Sequence, residues 1–370
     1  MNTKRIGVIV TLLVGLLLTA CSPAQPNPAP SAKAPTEPEQ TASQAEQILN
    51  IYNWDTYIDP TILSDFEQKF KVKINYDTYA NNEEMLEVVE ANPGRYDLIV
   101  PTGYMVAQMR RENLLTPLNK AHIPNFTNLD PLFLSPAFDP GNRYCVPYQW
   151  GTQGIGYNIK ATGREIGRLT DLFDPAFAGR VALLDDSRAS LGVVLLYLGY
   201  SPNTTNHVEI GEAKDFLLGQ TDQIAAYLPD TGQDALAAGE FDLVLEYSGD
   251  MFQVMADNPD LRYVIPQEGS IIWTDNMCIP ADAPHQALAE QFINYVLEPE
   301  VGAALSNFVQ YASPNQAAYP LLNEADHNNP ALYPSRAAVQ QKLFFSEDLG
   351  PTDEALYEQA WTEILGHYEQ

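Results

Sequence analysis

Cysteine is scarce in this chain of 370 residues, which has three, at positions 21, 145 and 278. None of them belongs to a Cys-x-x-Cys pair or a Cys-x-x-x-His spacing, so a structural zinc site has no support. We therefore expect no bound metal. Cys145 and Cys278 both lie in apolar stretches typical of strands. The residues alone allow either two buried thiols or a disulfide between them.

Basic residues are also few. The chain has 20 Lys and Arg against 48 Asp and Glu, which gives a formal net charge of −28. Residues 1–20 contain Lys4, Arg5 and no acid, so removal of this segment would leave 18 − 48 = −30. A field of this sign repels nucleic acid and anionic lipid and favours encounter with cations. Nucleic-acid binding is therefore excluded.

Motifs of common enzymes are missing. The sequence has no Gly-x-Ser-x-Gly elbow and no His-Glu-x-x-His, and its five histidines stand far apart. Adjacent acids such as Asp185-Asp186 could in principle do acid–base work, but the sequence has no nucleophile signature to go with them. The glycines at 151, 154 and 156 have the order Gly-x-x-Gly-x-Gly, and no helical pattern follows, so we interpret them as close packing in an extended segment. We expect no enzyme activity and no cofactor.

The N-terminus has the pattern of an export signal. Lys4 and Arg5 precede an apolar run too short to span a membrane, and Leu18-Thr19-Ala20-Cys21 follows it. This is typical of a cleaved signal at 1–20, with Cys21 as a lipid-modified first residue, whereas a single-pass anchor would need a longer run. Residues 21–46 are rich in Pro, Ala, Ser and Gln and predict a flexible linker. The protein would thus work outside the cytoplasmic membrane, attached by lipid.

The remaining chain is long enough for two domains and alternates strand and helix patterns. Strands are predicted at 48–52, 72–76, 96–101, 180–184, 224–227, 243–247 and 263–266. Helices are predicted at 60–70, 83–89, 189–198, 234–238, 250–256, 285–297 and 300–309. Such alternation predicts an α/β fold with parallel strands. Residues 146–158 and 273–280 are interpreted as extended crossovers between two lobes that flank a cleft.

A candidate ligand site begins at the end of the first strand. Trp54, Asp55 and Tyr57 lie within four positions, and Thr102 and Tyr104 follow a second strand. The carboxyl ends of parallel strands open onto a crevice where ligands bind. Aromatic faces beside a carboxylate suit an organic cation. The alternative is that the aromatic rings only cap a hydrophobic core.

Several segments resemble the periplasmic spermidine/putrescine-binding proteins of polyamine ABC importers, from about residue 48 to near the C-terminus. They include Tyr-Asn-Trp-x-x-Tyr at 52–57, Tyr-Asp-Leu-Ile-Val-Pro at 96–101, Val-Pro-Tyr-Gln-Trp-Gly at 146–151, Leu-Leu-Asp-Asp-x-Arg at 183–188 and Tyr-Ala-Ser-Pro-Asn at 311–315. The resemblance implies a two-lobed, type II binding-protein fold. The predicted lobes are 47–151 plus 274–318 and 152–273 plus 319–370.

The resemblance also implies the ligand contacts, position by position: Trp54, Asp55, Tyr57, Thr102, Tyr104, Asp186, Tyr247, Asp250, Trp273, Asp275 and Tyr311. Asp250 matches an acid of putrescine-preferring members. Ala189 stands where the family has a glutamate, and a late glutamine has no clear counterpart near 345–346. Asp186 and Asp250 could instead serve as helix N-caps. These departures leave the preferred polyamine open.

The expected function is therefore capture of putrescine or spermidine by lobe closure, with hinges near 151–157, 267–274 and 315–324. The ligand would then pass to the permease of an ABC importer, and we expect a monomer. Three alternatives remain at this point. The protein could be a polyamine sensor that docks on a membrane receptor, or it could bind another small cation or ferric iron.

Overall fold

The computed structural model describes residues 47–368. The predicted signal at 1–20, the lipidation site Cys21 and the predicted linker at 21–46 lie outside the described residues. Across residues 47–368, no helix has the length and apolar character needed to cross a membrane.

The described chain has ten strands. They are β1 Gln47–Trp54, β2 Val72–Tyr79, β3 Leu98–Ile99, β4 Cys145–Asn158, β5 Val181–Leu184, β6 Ile224–Leu228, β7 Leu243–Tyr247, β8 Leu261–Val264, β9 Ser270–Cys278 and β10 Leu343–Phe345.

The described residues also form thirteen α-helices. They are α1 Pro60–Phe70, α2 Asn82–Ala91, α3 Gly103–Arg111, α4 Ile159–Thr162, α5 Ser187–Leu198, α6 His207–Leu218, α7 Gly232–Ala238, α8 Ser248–Asp257, α9 Gln286–Val296, α10 Pro299–Val309, α11 Glu324–His327, α12 Arg336–Lys342 and α13 Pro351–Tyr368. Short 3-10 helices occur at Lys120–His122, Pro124–Asn128, Pro131–Phe133, Leu169–Phe173, Pro175–Phe177 and Tyr319–Leu321.

The strands form one path in the order β2-β1-β3-β9-β4-β7-β5-β6, with β10 paired to β9 and β8 paired to β4. Strand β1 is parallel to β2 and β3, and β5 is parallel to β6 and β7. Between these parallel groups, β4 and β9 pair antiparallel. The parallel groups with helices between their strands confirm the predicted α/β fold.

Two extended segments predicted as crossovers are the strands β4 and β9. The first half of β4 pairs with β9, and its second half pairs with β7 and β8. The three glycines of β4 explain how these strands approach so closely. A Cβ at Gly154 would lie 2.5 Å from the ring of Tyr263, and one at Gly156 would lie 2.4 Å from the sulfur of Met251. These glycines are packing positions, as the sequence indicated.

The hydrophobic side chains fall into separate clusters on the two sides of this pair of strands. One cluster contains Leu49, Phe66 and Phe292, with residues from 49 to 148 and from 277 to 311. Another contains Leu195 and Trp361, with residues from 155 to 245 and from 357 to 364. Each of these two clusters lies within one of the two predicted lobes, and the bounds of the lobes stay a prediction.

Local signals account for the first helix. Asp59 caps α1 by accepting a hydrogen bond from the backbone N of Thr61, and Pro60 opens it. Both features are favoured at helix starts. Ile62 and Phe66 point into the core, and Lys71 ends the helix in the left-handed conformation. The helix therefore fixes the segment that follows Trp54.

The predicted strand at 96–101 is shorter in the structure. The backbone N of Asn50 donates to the side chain of Asp97 at 2.8 Å, where a regular ladder would use a backbone carbonyl. At the other end, Pro101 has no N–H to donate. Pairing is thereby confined to Leu98–Ile99.

Six helices were not predicted: α3, α4, α6, α11, α12 and α13. The buried faces of α6 and α13 are narrow, with Ile210, Ala213 and Leu217 on α6. The rest of each surface is polar, so the apolar period is weak. Helix α13 packs on α5 and α6, and its Trp361 donates to Asp185 at 2.9 Å.

The sequence left the state of the cysteines open, and the structure joins Cys145 and Cys278 in a disulfide. The two residues are register partners at the start of β4 and the end of β9. They are 133 residues apart, so the bond closes a long loop in the unfolded chain.

We expect loss of this disulfide to lower the free energy of unfolding by about 2–5 kcal/mol, because the unfolded chain regains the entropy of the closed loop. Urea unfolding with and without reductant measures the change. The double variant Cys145→Ala/Cys278→Ala is the control, since its midpoint should not respond to reductant. An unchanged midpoint of the native chain under reducing conditions would contradict the prediction.

Candidate functional site

The ends of the parallel strands meet at a cavity of about 410 Å³. Trp54 ends β1, Thr102 follows β3, and Asp186 follows β5. Asp230 follows β6, and Tyr247 ends β7. The location agrees with the rule that ligands bind at the carboxyl ends of strands in open α/β sheets.

All eleven residues predicted as ligand contacts line this cavity. They are Trp54, Asp55, Tyr57, Thr102, Tyr104, Asp186, Tyr247, Asp250, Trp273, Asp275 and Tyr311. Five of them come from the chain before β4 and six from the chain after it. The structure therefore brings the predicted set together, and their role as ligand contacts stays a prediction.

Trp54 forms a fixed part of the wall. Its indole N donates to the backbone carbonyl of Val100 at 2.8 Å, and its ring lies 4.7 Å from the ring of Tyr79. It is partly exposed rather than buried in the core. Trp54 therefore does more than cap the hydrophobic core, because one side of its ring remains open to the cavity.

A second group of aromatic rings continues the wall. Tyr311 lies between Tyr57 and Trp273, with ring centroids 5.5 and 5.1 Å away. Tyr247 is 5.8 Å from Trp273 in an edge-on arrangement. The hydroxyl of Tyr57 and the indole N of Trp273 are buried without a hydrogen-bond partner among residues 47–368. The wall thus offers both aromatic faces and free polar atoms.

Asp275 is the most deeply buried acid in the predicted set. The segment at 101–102 runs beside β9, with Asn276 N donating to Pro101 O at 3.0 Å. This pairing places the hydroxyl of Thr102 so that it donates to Asp275 at 2.8 Å. Burial raises the pKa of Asp275 to about 7, despite that hydrogen bond. The group therefore changes charge near neutral pH.

Asp186 has two roles in the structure. It caps α5 by accepting a hydrogen bond from the backbone N of Ala189 at 2.7 Å, as the sequence allowed, and it also lines the cavity. Burial raises its pKa, while the Ala189 hydrogen bond opposes that change. Ala189, where the resemblance implies a glutamate, lines the cavity as well.

Asp250 is not a helix cap, because it is the third residue of α8 and Tyr247 holds the N-cap position. The N-cap interpretation of Asp250 is thus wrong. The hydroxyl of Tyr311 donates to its carboxylate. Gly249 permits this contact, since a Cβ there would lie 2.4 Å from the Tyr311 ring.

Asp55 is the most exposed acid of the predicted set. Its carboxylate accepts a hydrogen bond from the backbone N of Thr56 at 3.0 Å, and Thr56 is left-handed with φ 51°. The turn thus uses part of the hydrogen-bonding capacity of Asp55 and leaves the rest facing the cavity.

Across residues 47–368, Asp186, Asp250 and Asp275 take part in no ion pair within 4 Å, although Lys and Arg pair with acids elsewhere. Unpaired carboxylates in a partly enclosed site are costly unless a cation arrives or they bind protons. The site therefore favours a cationic ligand.

Sequence reasoning missed some residues of the site. Asp230 lines the cavity, as does Gln153, whose buried Oε1 has no hydrogen-bond partner in the described part of the chain. Glu246 is fully buried nearby. Two features of the sequence could have identified Asp230 and Glu246. Asp230 stands just after a strand, and Glu246 interrupts an apolar strand at 243–247.

Comparison with known proteins decides the family. The model of the bacterial extracellular solute-binding protein family matches residues 61–334. The chain belongs to this family. The spermidine/putrescine-binding periplasmic protein of Salmonella typhimurium is 35% identical over 318 residues, which is 85% of this chain and 91% of that protein.

Solved structures of other proteins match most of the chain. A putative spermidine/putrescine ABC transporter structure from Listeria monocytogenes matches with a TM-score of 0.81 and 35% identity, covering 86% of this chain and 99% of that one. The TpPotD lipoprotein of Treponema pallidum matches with a TM-score of 0.77 and 28% identity, covering 86% and 99%. These neighbours support the two-lobed binding-protein fold for this solute-binding protein.

The raised pKa of Asp275 makes a stability prediction. A pKa of about 7, against an ordinary value of 3.8, means that the folded protein holds this proton more tightly than the unfolded chain does. Ionisation therefore destabilises the folded form increasingly from about pH 4 to about pH 7 and fully above that. Asp275→Asn should remove this cost and be more stable than the native chain. The difference in the free energy of unfolding should widen by about 2–3 kcal/mol between about pH 5 and about pH 8.

Urea unfolding of the ligand-free protein at both pH values measures this difference. The matched control is Asp257→Asn, which removes an exposed acid from the end of α8. It should show no such widening. If the free energies of unfolding of Asp275→Asn and the native chain differ by the same amount at both pH values, the raised pKa of Asp275 is contradicted.

Proposed function

We propose that this solute-binding protein captures a polyamine, putrescine or spermidine, outside the cytoplasmic membrane and delivers it to an ABC importer. One observation carries the proposal. A cavity lined by Trp54, Trp273 and Tyr311 also contains acids that pair with no Lys or Arg among residues 47–368. A polyamine has protonated amines joined by methylenes, so it needs both kinds of surface.

The aromatic rings and the acids would contribute in different ways. Methylenes would pack on the ring faces, and a well-placed cation–π contact contributes up to about 2 kcal/mol once water is excluded. Asp275 and Asp250 would accept hydrogen bonds from the ammonium groups. Removing one partner of a buried charged pair costs about 2–5 kcal/mol. The acids therefore provide most of the selection for charge.

Closure of the two lobes around the ligand is the proposed mechanism. The lobes would be 47–151 plus 274–318 and 152–273 plus 319–370. Hinges would lie near 151–157, 267–274 and 315–324, where the chain passes between the lobes. A polyamine that touches both lobes would favour the closed form, which the permease could recognise. Binding without chemical conversion is consistent with the family, so we propose no enzyme activity.

The location follows from the N-terminal pattern and the family. We propose that residues 1–20 are cleaved, that Cys21 carries the lipid anchor and that residues 21–46 serve as the linker. Similarity to a Treponema pallidum lipoprotein supports this arrangement. A monomer on the outer face of the membrane would suffice for capture and delivery.

Calorimetric titration of the purified full chain tests the function. The ligands are putrescine, spermidine, spermine and agmatine, with NaCl at matched ionic strength as the control. We expect at least one polyamine to bind with a Kd of about 1 μM or lower, as suits an importer's capture protein. If none binds and none raises the melting temperature, the polyamine assignment fails.

Asp275→Asn should weaken the tightest of these ligands at least about thirtyfold at about pH 8, where Asp275 is ionised. The loss reflects an ammonium group left without its buried partner. Asp257→Asn, with the same change of charge on an exposed residue, should bind like the native chain. Equal affinity of Asp275→Asn and the native chain would show that the ligand binds elsewhere.

A further inference from the structure

Three acids lie together beside the cleft, and two of them belong to no predicted contact. Asp230 follows β6, Glu246 lies within β7, and Asp250 is in the first turn of α8. One carboxylate oxygen from each residue lies within 4.8 Å of those from the other two. Asp230 and Asp250 line the cavity. We call these three residues the acidic triad.

Glu246 is the unusual member of the triad, because it is 0% exposed. Its Oε1 accepts a hydrogen bond from the backbone N of Tyr247 at 2.9 Å. Its Oε2 has no hydrogen-bond partner among residues 47–368. That oxygen faces the turn that holds Asp230, since a Cβ at Gly232 would lie 2.5 Å from it.

No cation of the described chain compensates the triad. None of its three acids takes part in an ion pair within 4 Å among residues 47–368, where other acids pair with Arg180, Arg188 and Lys214. A buried carboxylate without a cation or a full set of donors is unfavourable by several kcal/mol, an order-of-magnitude cost. The arrangement therefore needs protons or an external cation.

The oxygens of the triad all lie within 4.8 Å of one another, which is close enough for one ammonium group to contact them. An ammonium nitrogen lies about 2.8 Å from each acceptor, and its tetrahedral N–H directions place three acceptors about 4.6 Å apart. A Ca²⁺ ion at about 2.4 Å would draw neighbouring oxygens to about 3.4 Å and would need six to eight of them. The aromatic ring of Tyr311, which donates to Asp250, also suits the methylene next to an amine.

We propose that the acidic triad binds a terminal ammonium group of the ligand, with Asp230 and Asp250 in contact with the nitrogen. Glu246 is a positioning residue that adds negative charge from behind and holds Asp230 and Asp250 in place. This proposal rests on the proposed polyamine function and deepens it. It adds Asp230 and Glu246 to the ammonium contact already proposed at Asp250.

Charge balance in the empty site supports the proposal. Loss of water around the carboxylates in the cleft raises the pKa of Asp230 to about 6 and holds the pKa values of Glu246 and Asp250 well above their ordinary range. The charge of Asp234 adds to the effect on Asp230, and the charge of Asp230 adds to the effect on the other two acids, whereas the Glu246 hydrogen bond lowers the pKa of Asp230. Other titratable groups also face the triad, namely Asp234 of α7, Tyr247 of β7, Tyr263 of β8, Asp275 of β9 and Tyr311. An arriving ammonium group would replace protons held there, so binding should release protons.

The test is calorimetric titration of the full chain with putrescine and spermidine at about pH 6.5. Two buffers with different ionisation enthalpies give the number of protons released. The variants are Asp230→Asn and Glu246→Gln, and the control is Asp257→Asn. Asp230 is exposed to cleft solvent, so its variant should fold even if Glu246→Gln does not. Near-ultraviolet circular dichroism checks folding.

We expect each triad variant to bind the tighter polyamine at least about tenfold more weakly than the native chain. Each should also release fewer protons, whereas Asp257→Asn should match the native chain in both measurements. A variant that loses affinity but releases the native number of protons would show a merely structural role and overturn the proposal. Affinity within about threefold of the native chain would overturn it too.

Two further outcomes separate this proposal from the function on which it rests. If the native chain binds a polyamine and both triad variants bind it equally well, the triad assignment fails and the function stands. If the native chain binds none, both fail.

Titration with CaCl₂ alone tests for a metal. Binding that Glu246→Gln abolishes, with polyamine affinity unchanged, would make the triad a metal site and overturn the ammonium assignment.

Discussion

The cleft of this protein depends on carboxylates that the fold encloses without giving them a cation. Asp275 and Glu246 are at most 5% exposed, and neither takes part in an ion pair among residues 47–368. Such groups lower the stability of the empty protein and strengthen the binding of a cation, for the same physical reason. The excess of acids over bases on the whole chain acts in the same direction at longer range. The same carboxylates therefore strengthen the binding of a cation and lower the stability of the empty protein.

The sheet makes this arrangement possible. Strands β4 and β9 are shared by both halves, and Cys145–Cys278 joins their ends. On either side of them, parallel strands direct their carboxyl ends toward the cavity. The two hydrophobic clusters offset the unfavourable burial of the acids, because packed apolar surface contributes about 25 cal/mol for each Å² removed from water. The first cluster also reaches the acids, since Tyr57 and Tyr311 of the cavity wall belong to it.

Much of this architecture could be predicted from the sequence. The alternating strand and helix patterns identified most elements of the α/β fold, and the aromatic-acid segment at 52–57 located the cavity. The rest depended on tertiary contacts. Pairing of the cysteines requires the register of β4 with β9, and the interrupted strand at Leu98–Ile99 requires the contact between Asp97 and Asn50. Helices α6 and α13 have narrow apolar faces, and they pack mainly against each other and α5. Asp230 and Glu246 lie on opposite sides of α7 in the sequence, and the pairing of both β6 and β7 with β5 brings them together.

A crystal structure of the full chain with putrescine tests the central claim most directly. The account predicts one terminal nitrogen within hydrogen-bond distance of Asp275 and the other beside Asp230 and Asp250. The methylenes should lie against Trp273 and Tyr311. Putrescine bound outside the cavity, or bound inside it with both nitrogens away from these acids, would contradict the account.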